Sequence, residues 1–281
     1  MKDKGDKMSS AKLYICPTPI GNLEDITIRT LNILQEVDLI AAEDTRRSLK
    51  LLNHYEIKKP LTSYHEHNKH EKGPKLIEHL LNGESIALVS DAGMPGISDP
   101  GEDLIKLCIN EKIEVVVLPG ATAAITALVG SGLNTRKFVF EGFLSSVKKE
   151  RKKELENLKY EKRTMIIYES PYRIKDTLKD MLDILGNRQI AVNRELTKKF
   201  EEIIRSDISS VIEEFSNREI KGEFVLIVEG SKIEEEKEEI NIKEELLKYM
   251  NEGLSKSKSV KLVCKEHNLP KNEVYEISLK L

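Results

Sequence analysis

The chain contains no tryptophan, and aromatic residues make up only 5% of its 281 residues. Proteins that hold single-stranded nucleic acid along an extended surface stack successive bases on exposed aromatic rings. The scarcity of aromatic side chains therefore argues against a broad stacking platform of that kind.

Cysteine is also scarce. Cys16, Cys108 and Cys264 are far apart in the sequence, and no two of them form a Cys-x-x-Cys pair. Three isolated thiols supply neither a disulfide framework nor a metal cluster, so no metal site is expected and each thiol is expected to pack in a core. This cysteine usage is typical of the reducing cytoplasm, which is the predicted location.

Long apolar runs are missing from the sequence. No stretch approaches the ~20 apolar residues that a helix needs to cross a bilayer, so no membrane partner is expected. The first residues, MKDKGDKMSSAK, are charged and lack the apolar segment of a secretory signal. Residues 1–11 are interpreted as a disordered tail.

Neither sign of charge is in large excess, because 45 Lys and Arg side chains stand against 48 Asp and Glu side chains, for a net charge of −3. Any basic surface that binds nucleic acid must therefore be local. Hydrophobic residues make up 39% of the chain, which is enough for buried cores and argues against a mainly disordered protein.

Short β-rich runs alternate with helical patterns along the chain, and this alternation predicts an α/β protein. We expect an N-terminal α/β domain (12–119), a second α/β domain (120–232), an acidic linker (233–242) and a helix-turn-helix-like C-terminal domain (243–281). The predicted strands are 13–16, 39–42, 86–90, 115–118, 138–140, 164–168, 190–194 and 224–228. The predicted helices are 28–36, 75–81, 103–110, 121–129, 172–185, 243–251, 256–267 and 271–281.

Three of the predicted strands in the first half run into loops rich in glycine and proline, at 17–22, 91–101 and 119–124. In an open α/β sheet, ligands bind at the carboxyl ends of the strands, where such loops gather. Glycine lets the backbone approach a ligand closely, and proline stiffens the loop. The three loops together predict a small-molecule site.

The common nucleotide-binding motifs are missing from the sequence. There is no Gly-x-x-x-x-Gly-Lys-Ser/Thr phosphate loop, and the only Gly-x-Gly, at 130–132, ends a helical pattern instead of following a strand. There is no Gly-x-Ser-x-Gly elbow of a serine hydrolase either. His65, His67 and His70 lie close together, and a polar loop at the edge of a cleft explains them better than a zinc site does.

A series of specific motifs resembles one enzyme family. They are CPTPIGNLEDITIRT (16–30), AAEDTRRS (41–48), TSYHEHN (62–68), ALVSDAGMPGISDPG (87–101), LPGATAAITAL (118–128), FEGFL (140–144), IYESPYR (167–173), NRELTKKFEE (193–202) and GEFVLIVEG (222–230). In this order they resemble the tetrapyrrole methylase superfamily of S-adenosylmethionine-dependent enzymes. Within it, they are most similar to the members that methylate the 2′-oxygen of a cytidine in the decoding region of 16S rRNA.

The resemblance implies two α/β domains with a cleft between them, folded S-adenosylmethionine in the cleft, and a homodimer that acts on 16S rRNA or on the small ribosomal subunit. Members of the superfamily often carry Gly-Asp-Pro where this chain reads AGM at 92–94, and Asp91 is expected to supply the carboxylate instead. The cofactor-binding residues that the motifs imply are Pro19, Asp91, Ala92, Gly93, Met94, Ile97, Thr122, Ala123, Glu169 and Leu196.

Methyl transfer to a ribose hydroxyl is expected to need a nearby base, because a neutral hydroxyl is a poor nucleophile. Asp44 is predicted as the base or orienting group, Arg46 as the holder of the phosphate or ribose, and Glu169 as the second candidate base. The alternative is that Asp44 caps the next helix and pairs with Arg46 for structural reasons.

A local cluster of positive charge favours RNA. Residues 148–163 contain eight basic and four acidic side chains, although a solvated helix face is the usual explanation of such a run. Further arginines near the expected cleft could hold phosphates. The predicted RNA contacts are Arg46, Arg47, Lys148, Lys149, Arg151 and Arg173.

The C-terminal helices leave two readings open. Residues 252–272 contain five lysines and two glutamates, which suits docking to RNA or to the ribosome, and a dimer-packing module fits as well. Two other functions also remain: methylation of a tetrapyrrole or of a modified histidine on a protein by the same fold, and non-catalytic binding of nucleic acid through these helices.

Overall fold

The computed structural model describes residues 11–233, 241–267 and 269–281. They divide into two units, of which the first ends at Lys232 and the second begins at Ile233. The predicted tail at 1–11 lies outside the described residues except for Ala11, and so do residues 234–240 of the predicted linker.

The first half of the first unit is built on a parallel five-stranded sheet with the strand order β3-β2-β4-β1-β5. Helices connect the strands and cover both faces, so the central strand β4 is buried at all four positions. A strand covered on both faces must be apolar throughout, which is why its sequence is Ile-Ala-Leu-Val. The strands are β1 (Lys12–Ile15), β2 (Leu39–Ala42), β3 (Leu61–Ser63), β4 (Ile86–Val89) and β5 (Glu114–Val117). The helices are α1 (Ile28–Glu36), α2 (Thr45–His54), α3 (Lys69–Leu81) and α4 (Gly101–Asn110).

The second half of this unit holds a mixed sheet with the order β6-β7-β10-β8-β9, in which only β6 and β7 are parallel neighbours. Strand β10 lies at its centre and is buried at all five positions. The strands are β6 (Phe138–Phe143), β7 (Thr164–Glu169), β8 (Gln189–Arg194), β9 (Glu202–Asp207) and β10 (Phe224–Val228). The helices are α5 (Ala123–Gly130), α6 (Lys148–Asn157), α7 (Ile174–Leu185) and α8 (Ile208–Ser216).

One face of the second sheet is covered by α5 and by the loop that follows β1. Ala127 and Leu128 of α5 pack with Ile166 and Val225 of the sheet, and Ile20 of the β1 loop belongs to the same apolar cluster. The two sheets are therefore held together at the loops that follow the strands of the first sheet. The predicted domain boundary at 119/120 stays a prediction.

The second unit consists of the helices α9 (Ile242–Asn251), α10 (Lys256–Glu266) and α11 (Lys271–Leu279). Its small core is formed by Leu246, Val260, Val263 and Val274, which are buried. All three bounds agree with the predicted helices to within two residues, and Ser255 and Pro270 stand directly before α10 and α11 as expected of helix starts.

The structure also contains elements that the sequence did not predict. Strand β3 has only three residues, and β9 is an edge strand of mixed polarity, so neither has a strong apolar pattern. Helices α2 and α8 were not predicted as helices.

Cys16 and Cys108 are buried, as expected, and burial raises the pKa of each thiol to about 12, whereas Cys264 is partly exposed. Among the described residues, no helix is long and apolar enough to cross a membrane.

The basic side chains of residues 148–163 differ in their exposure to solvent, and one of them is buried. Lys148 and Lys149 are exposed on α6, whereas the Arg151 side chain is only 5% exposed. Its Nε and Nη2 donate to Asp180 Oδ2 on α7 at 3.0 and 2.7 Å. The structure therefore corrects the prediction of Arg151 as an RNA contact, because a guanidinium buried on a carboxylate is not available to a phosphate.

We expect Arg151→Met to lower the free energy of unfolding by about 3–5 kcal/mol, because it leaves the Asp180 carboxylate buried without its main partner. Replacing both residues, as Arg151→Met with Asp180→Leu, should recover most of the loss, since an apolar pair leaves no buried charge. Chemical denaturation measures both variants. Lys149→Ala is the control and should change stability by less than ~0.5 kcal/mol. A loss in the double variant as large as in Arg151→Met would contradict this account.

Candidate active site

A cavity of about 390 Å³ lies between the loops of the first sheet and the face of the second sheet. Its walls come from the loops after β2, β4 and β5 on one side and from β7, β8, β10 and the loop after β8 on the other. Nine of the predicted cofactor-binding residues line it, while Pro19 lines a second, adjoining cavity. The nine residues are Asp91, Ala92, Gly93, Met94, Ile97, Thr122, Ala123, Glu169 and Leu196.

The loop after β4 is fixed against the loop after β1 by a pair of backbone hydrogen bonds. Thr18 N donates to Gly93 O and Gly93 N donates to Thr18 O, both at 2.9 Å. Gly93 has a φ of +79°, which favours glycine at this position. Further along, Asp99 accepts hydrogen bonds from the backbone N–H groups of Gly96 and Gly101, at 2.8–3.0 Å, and so holds the loop to the start of α4.

The loop after β1 also packs directly on the loop after β8. A Cβ atom at Gly21 would lie 2.5–2.7 Å from atoms of Leu196, Thr197 and Lys198, so only glycine fits there. Asn22 N donates to Thr197 Oγ1 at 3.0 Å. This contact joins the two halves of the unit beside the cavity and sets the distance between its walls.

The cavity wall carries one buried polar atom that has no partner among the described residues, Asn193 Oδ1. Asn193 is fully buried on β8, and its Nδ2 donates to Ala191 O and Val225 O. A buried acceptor without a donor is costly, and a bound molecule with an N–H or O–H group would satisfy it.

Negative charge exceeds positive charge around the cavity. Its lining contains five carboxylates and two cationic side chains, which suits a cationic ligand better than a phosphate. The carboxylates are Glu43, Asp91, Asp99, Glu169 and Glu223, and the cations are Arg47 and Lys198.

Glu43 is a candidate base that the sequence reasoning missed. It is half-buried at the carboxyl end of β2, and its Oε2 accepts a hydrogen bond from Asp91 N at 3.4 Å. Burial and the nearby charge of Asp91 raise the pKa of Glu43. Burial likewise raises the pKa of Asp99.

Asp44 and Arg46 do not line the cavity. Asp44 caps α2 by accepting from Arg46 N at 2.9 Å, and its two oxygens accept from Nε and Nη2 of the same arginine. Arg46 holds the pKa of the Asp44 carboxyl at about 2, which makes it a weak proton acceptor. The geometry thus favours the alternative in which Asp44 is a helix cap, whereas Arg47, one residue on, lines the cavity and pairs with Asp91 at 3.1 Å.

Glu169 lines the cavity, but its carboxylate is already satisfied by the protein. Its Oε1 accepts from Ser170 N at 2.7 Å and pairs with Arg173 Nη2 at 2.8 Å, and its Oε2 accepts from Thr177 Oγ1 at 2.6 Å. Arg173 also donates to Leu144 O at 3.1 Å. The group joins the end of β7 to α7, so a positioning role for Glu169 and Arg173 fits this geometry better than proton transfer or contact with RNA.

Several lining residues were not predicted from the sequence. Asn193 could have been noticed as the polar residue directly after the apolar run 190–192 of strand β8, and Glu43 as the charged residue that directly follows strand β2. Phe143, Tyr168, Lys198 and Glu223 carry no comparable signal, because they reach the cavity only through the tertiary packing. His65, by contrast, contacts Asn68 within the polar loop that was predicted there.

Residues 12–212 match the family of Tetrapyrrole (Corrin/Porphyrin) Methylases. The chain is also similar in structure to a cobalt precorrin-4 methyltransferase, with a TM-score of 0.61 and 17% identity over 81% of this chain and 98% of that one. A uroporphyrin-III C-methyltransferase from Thermus thermophilus, solved with S-adenosyl homocysteine, gives a TM-score of 0.57 at 16% identity, covering 78% of this chain and 97% of that one. The chain belongs to the tetrapyrrole methylase family, which confirms the resemblance and the fold predicted from the motifs.

Within this family, the chain is similar in sequence to proteins named ribosomal RNA small subunit methyltransferase I. The Bacillus subtilis protein of that name is 52% identical, covering 94% of this chain and 92% of its own length. The protein from Synechocystis sp. is 47% identical, covering 96% of this chain and 98% of its own length.

Proposed function

We propose that the protein transfers a methyl group from S-adenosylmethionine to the 2′-oxygen of a cytidine ribose in the decoding region of 16S rRNA, in the cytoplasm. The observation that carries the proposal is the carboxylate-rich cavity between the two sheets, in a chain whose relatives are named as methyltransferases of small-subunit rRNA. The same relatives favour rRNA over a tetrapyrrole or a protein histidine as the acceptor.

The residues present fit S-adenosylmethionine. The cofactor is a sulfonium cation with an adenosine and an amino-acid tail, and it supplies an activated methyl group when bound. The small residues Ala92, Gly93 and Ala123 allow close approach of the backbone, and Asn193 Oδ1 offers an acceptor for a donor group. Asp91 and its neighbouring carboxylates favour the positive charge of the sulfonium.

In the proposed reaction, the protein aligns the acceptor oxygen with the methyl group and removes the hydroxyl proton. Alignment supplies much of the rate, because the donor is already activated. We assign the proton acceptor to Glu43, since a carboxylate with a raised pKa binds a proton more strongly than an ordinary one does. Asp91 orients Arg47 through an ion pair, and its Oδ1 accepts a hydrogen bond from the backbone N–H of Asp44, the residue that caps α2.

Exposed cations supply the contacts that we propose for the RNA phosphates. Arg46, Lys148 and Lys149 are exposed, and Arg47 is 59% exposed at the cavity. A lysine-rich helix, α10, adds basic surface on the C-terminal unit. Such contacts position an RNA without reading its sequence.

We also propose that the protein is a homodimer. Four of the six phenylalanines are exposed, and three of them lie on β6, which is an edge strand of its sheet. Exposed apolar side chains grouped in this way mark an interaction surface. The three are Phe138, Phe140 and Phe143, of which Phe143 also lines the first cavity.

The proposed activity is tested by incubating unmodified small ribosomal subunits with the protein and S-adenosylmethionine labelled in the methyl group. We expect one labelled position, a 2′-O-methylated cytidine in the decoding region, mapped by nuclease digestion and mass spectrometry. Label on a base, or in a tetrapyrrole or protein acceptor but not in rRNA, would contradict the proposal.

The assignment of Glu43 predicts that Glu43→Gln lowers kcat by about 10²–10⁴-fold, because the proton acceptor is lost. Cofactor affinity should change little. In the unsubstituted protein the rate should fall as the pH falls through the raised pKa of Glu43, since protonation removes its ability to accept a proton. Asp44→Asn is the matched control, because asparagine caps a helix as well as aspartate does. If Asp44→Asn slows turnover as much as Glu43→Gln, then Asp44 is the base.

The proposed dimer predicts that Phe138→Asp shifts the sedimentation equilibrium mass from two chains toward one, because a carboxylate cannot be buried unpaired in an apolar interface. Ile109→Asp, at a side chain 61% exposed on α4, is the control and should leave the mass unchanged. A monomeric unsubstituted protein would contradict the dimer.

A further inference from the structure

A second cavity, of about 270 Å³, adjoins the first. The two share a wall that includes Ile20, Arg47, Asp91 and Lys198. A transferase has to bring a donor and an acceptor into contact, and two compartments with a common wall provide that arrangement.

The second cavity combines an apolar side with a charged side, on which three cationic side chains, Arg47, Lys50 and Lys198, stand against two carboxylates, Asp91 and Glu223. Pro19, Ile20 and Leu23 supply apolar surface from the loop after β1 and the short 3₁₀ turn that follows it. Helix α2 supplies Arg47 and Lys50, which are three residues apart and therefore lie on the same face of the helix. Flat apolar surface suits a base, and cationic side chains suit a phosphate.

The cationic side chains that line the second cavity differ in whether they have an ion-pair partner. Arg47 is paired with Asp91, and Lys198 is paired with Glu195 and Glu223 at 2.9 and 3.0 Å. Lys50 is exposed and, within the described part of the chain, has no ion-pair partner. Its ammonium group is therefore free to bind an anion from solution.

We propose that the second cavity receives the target nucleotide of the RNA, with Lys50 on its phosphate group and Arg47 beside its ribose. This inference rests on the proposed function. To enter a separate compartment of this kind, the nucleotide has to leave the stack of its neighbours. Its ribose then reaches the wall at Asp91, where the first cavity begins.

The test compares Lys50→Ala with Lys58→Ala, a change of the same charge at an exposed lysine that lines neither cavity. Initial rates are measured on unmodified small subunits at saturating S-adenosylmethionine. Lys50→Ala should raise KM for the subunit about 3–10-fold with kcat within about twofold, and should lower the slope of log affinity against log salt by about 1. Lys50→Arg should restore KM, and Lys58→Ala should behave as the unsubstituted protein.

Two results would overturn the inference while leaving the proposed function intact. One is equal KM values and salt slopes for Lys50→Ala and Lys58→Ala. The other is weaker binding of S-adenosylmethionine to Lys50→Ala in calorimetry with an unchanged KM for the subunit, which would assign the cavity to the cofactor. An unsubstituted protein that transfers no methyl group to rRNA would overturn the proposed function and this inference with it.

Discussion

The close contact between the loop after β1 and the loop after β8 is the constraint on which the cavity depends. A Cβ at Gly21 would overlap the backbone of Leu196 and the side chains of Thr197 and Lys198, so glycine allows the two loops to pack this closely. The paired hydrogen bonds between Thr18 and Gly93 also fix the loop after β4 to the loop after β1. Because these contacts within the protein hold the walls, the cavity has a defined width before any ligand enters.

The charge around that cavity is compatible with the proposed action on RNA by a protein without a net positive charge. The inner walls are rich in carboxylates, which suits a cationic donor, whereas cationic side chains lie on α2 and α6 and at the second cavity. The balance of the two kinds of charge differs from one part of the surface to another, so their sum over the chain carries little information about the partner.

The parts of the fold that depend on local pattern could be predicted from the sequence. Buried strands such as β4 and β10 are continuous apolar runs. The composition of the three glycine- and proline-rich loops is enough to predict a binding site at the ends of the strands. The ion-pair partners could not be predicted, because they depend on tertiary packing. In the sequence, Arg151 cannot be distinguished from its exposed basic neighbours, because its burial depends on Asp180, which α7 places beside it. Asp44 is predicted from the sequence as the base and Glu43 is missed, because the sequence does not show which of two adjacent carboxylates lines the cavity.

The central claim is that the rigid loops of the first sheet and the face of the second sheet together hold the methyl donor. A crystal structure with S-adenosylhomocysteine bound tests it most directly. We predict that its sulfur lies beside Asp91 and Ala92, with the rest of the molecule between the loop at 91–98 and the residues Thr122, Ala123 and Asn193. Electron density for the compound outside this cavity would contradict the account.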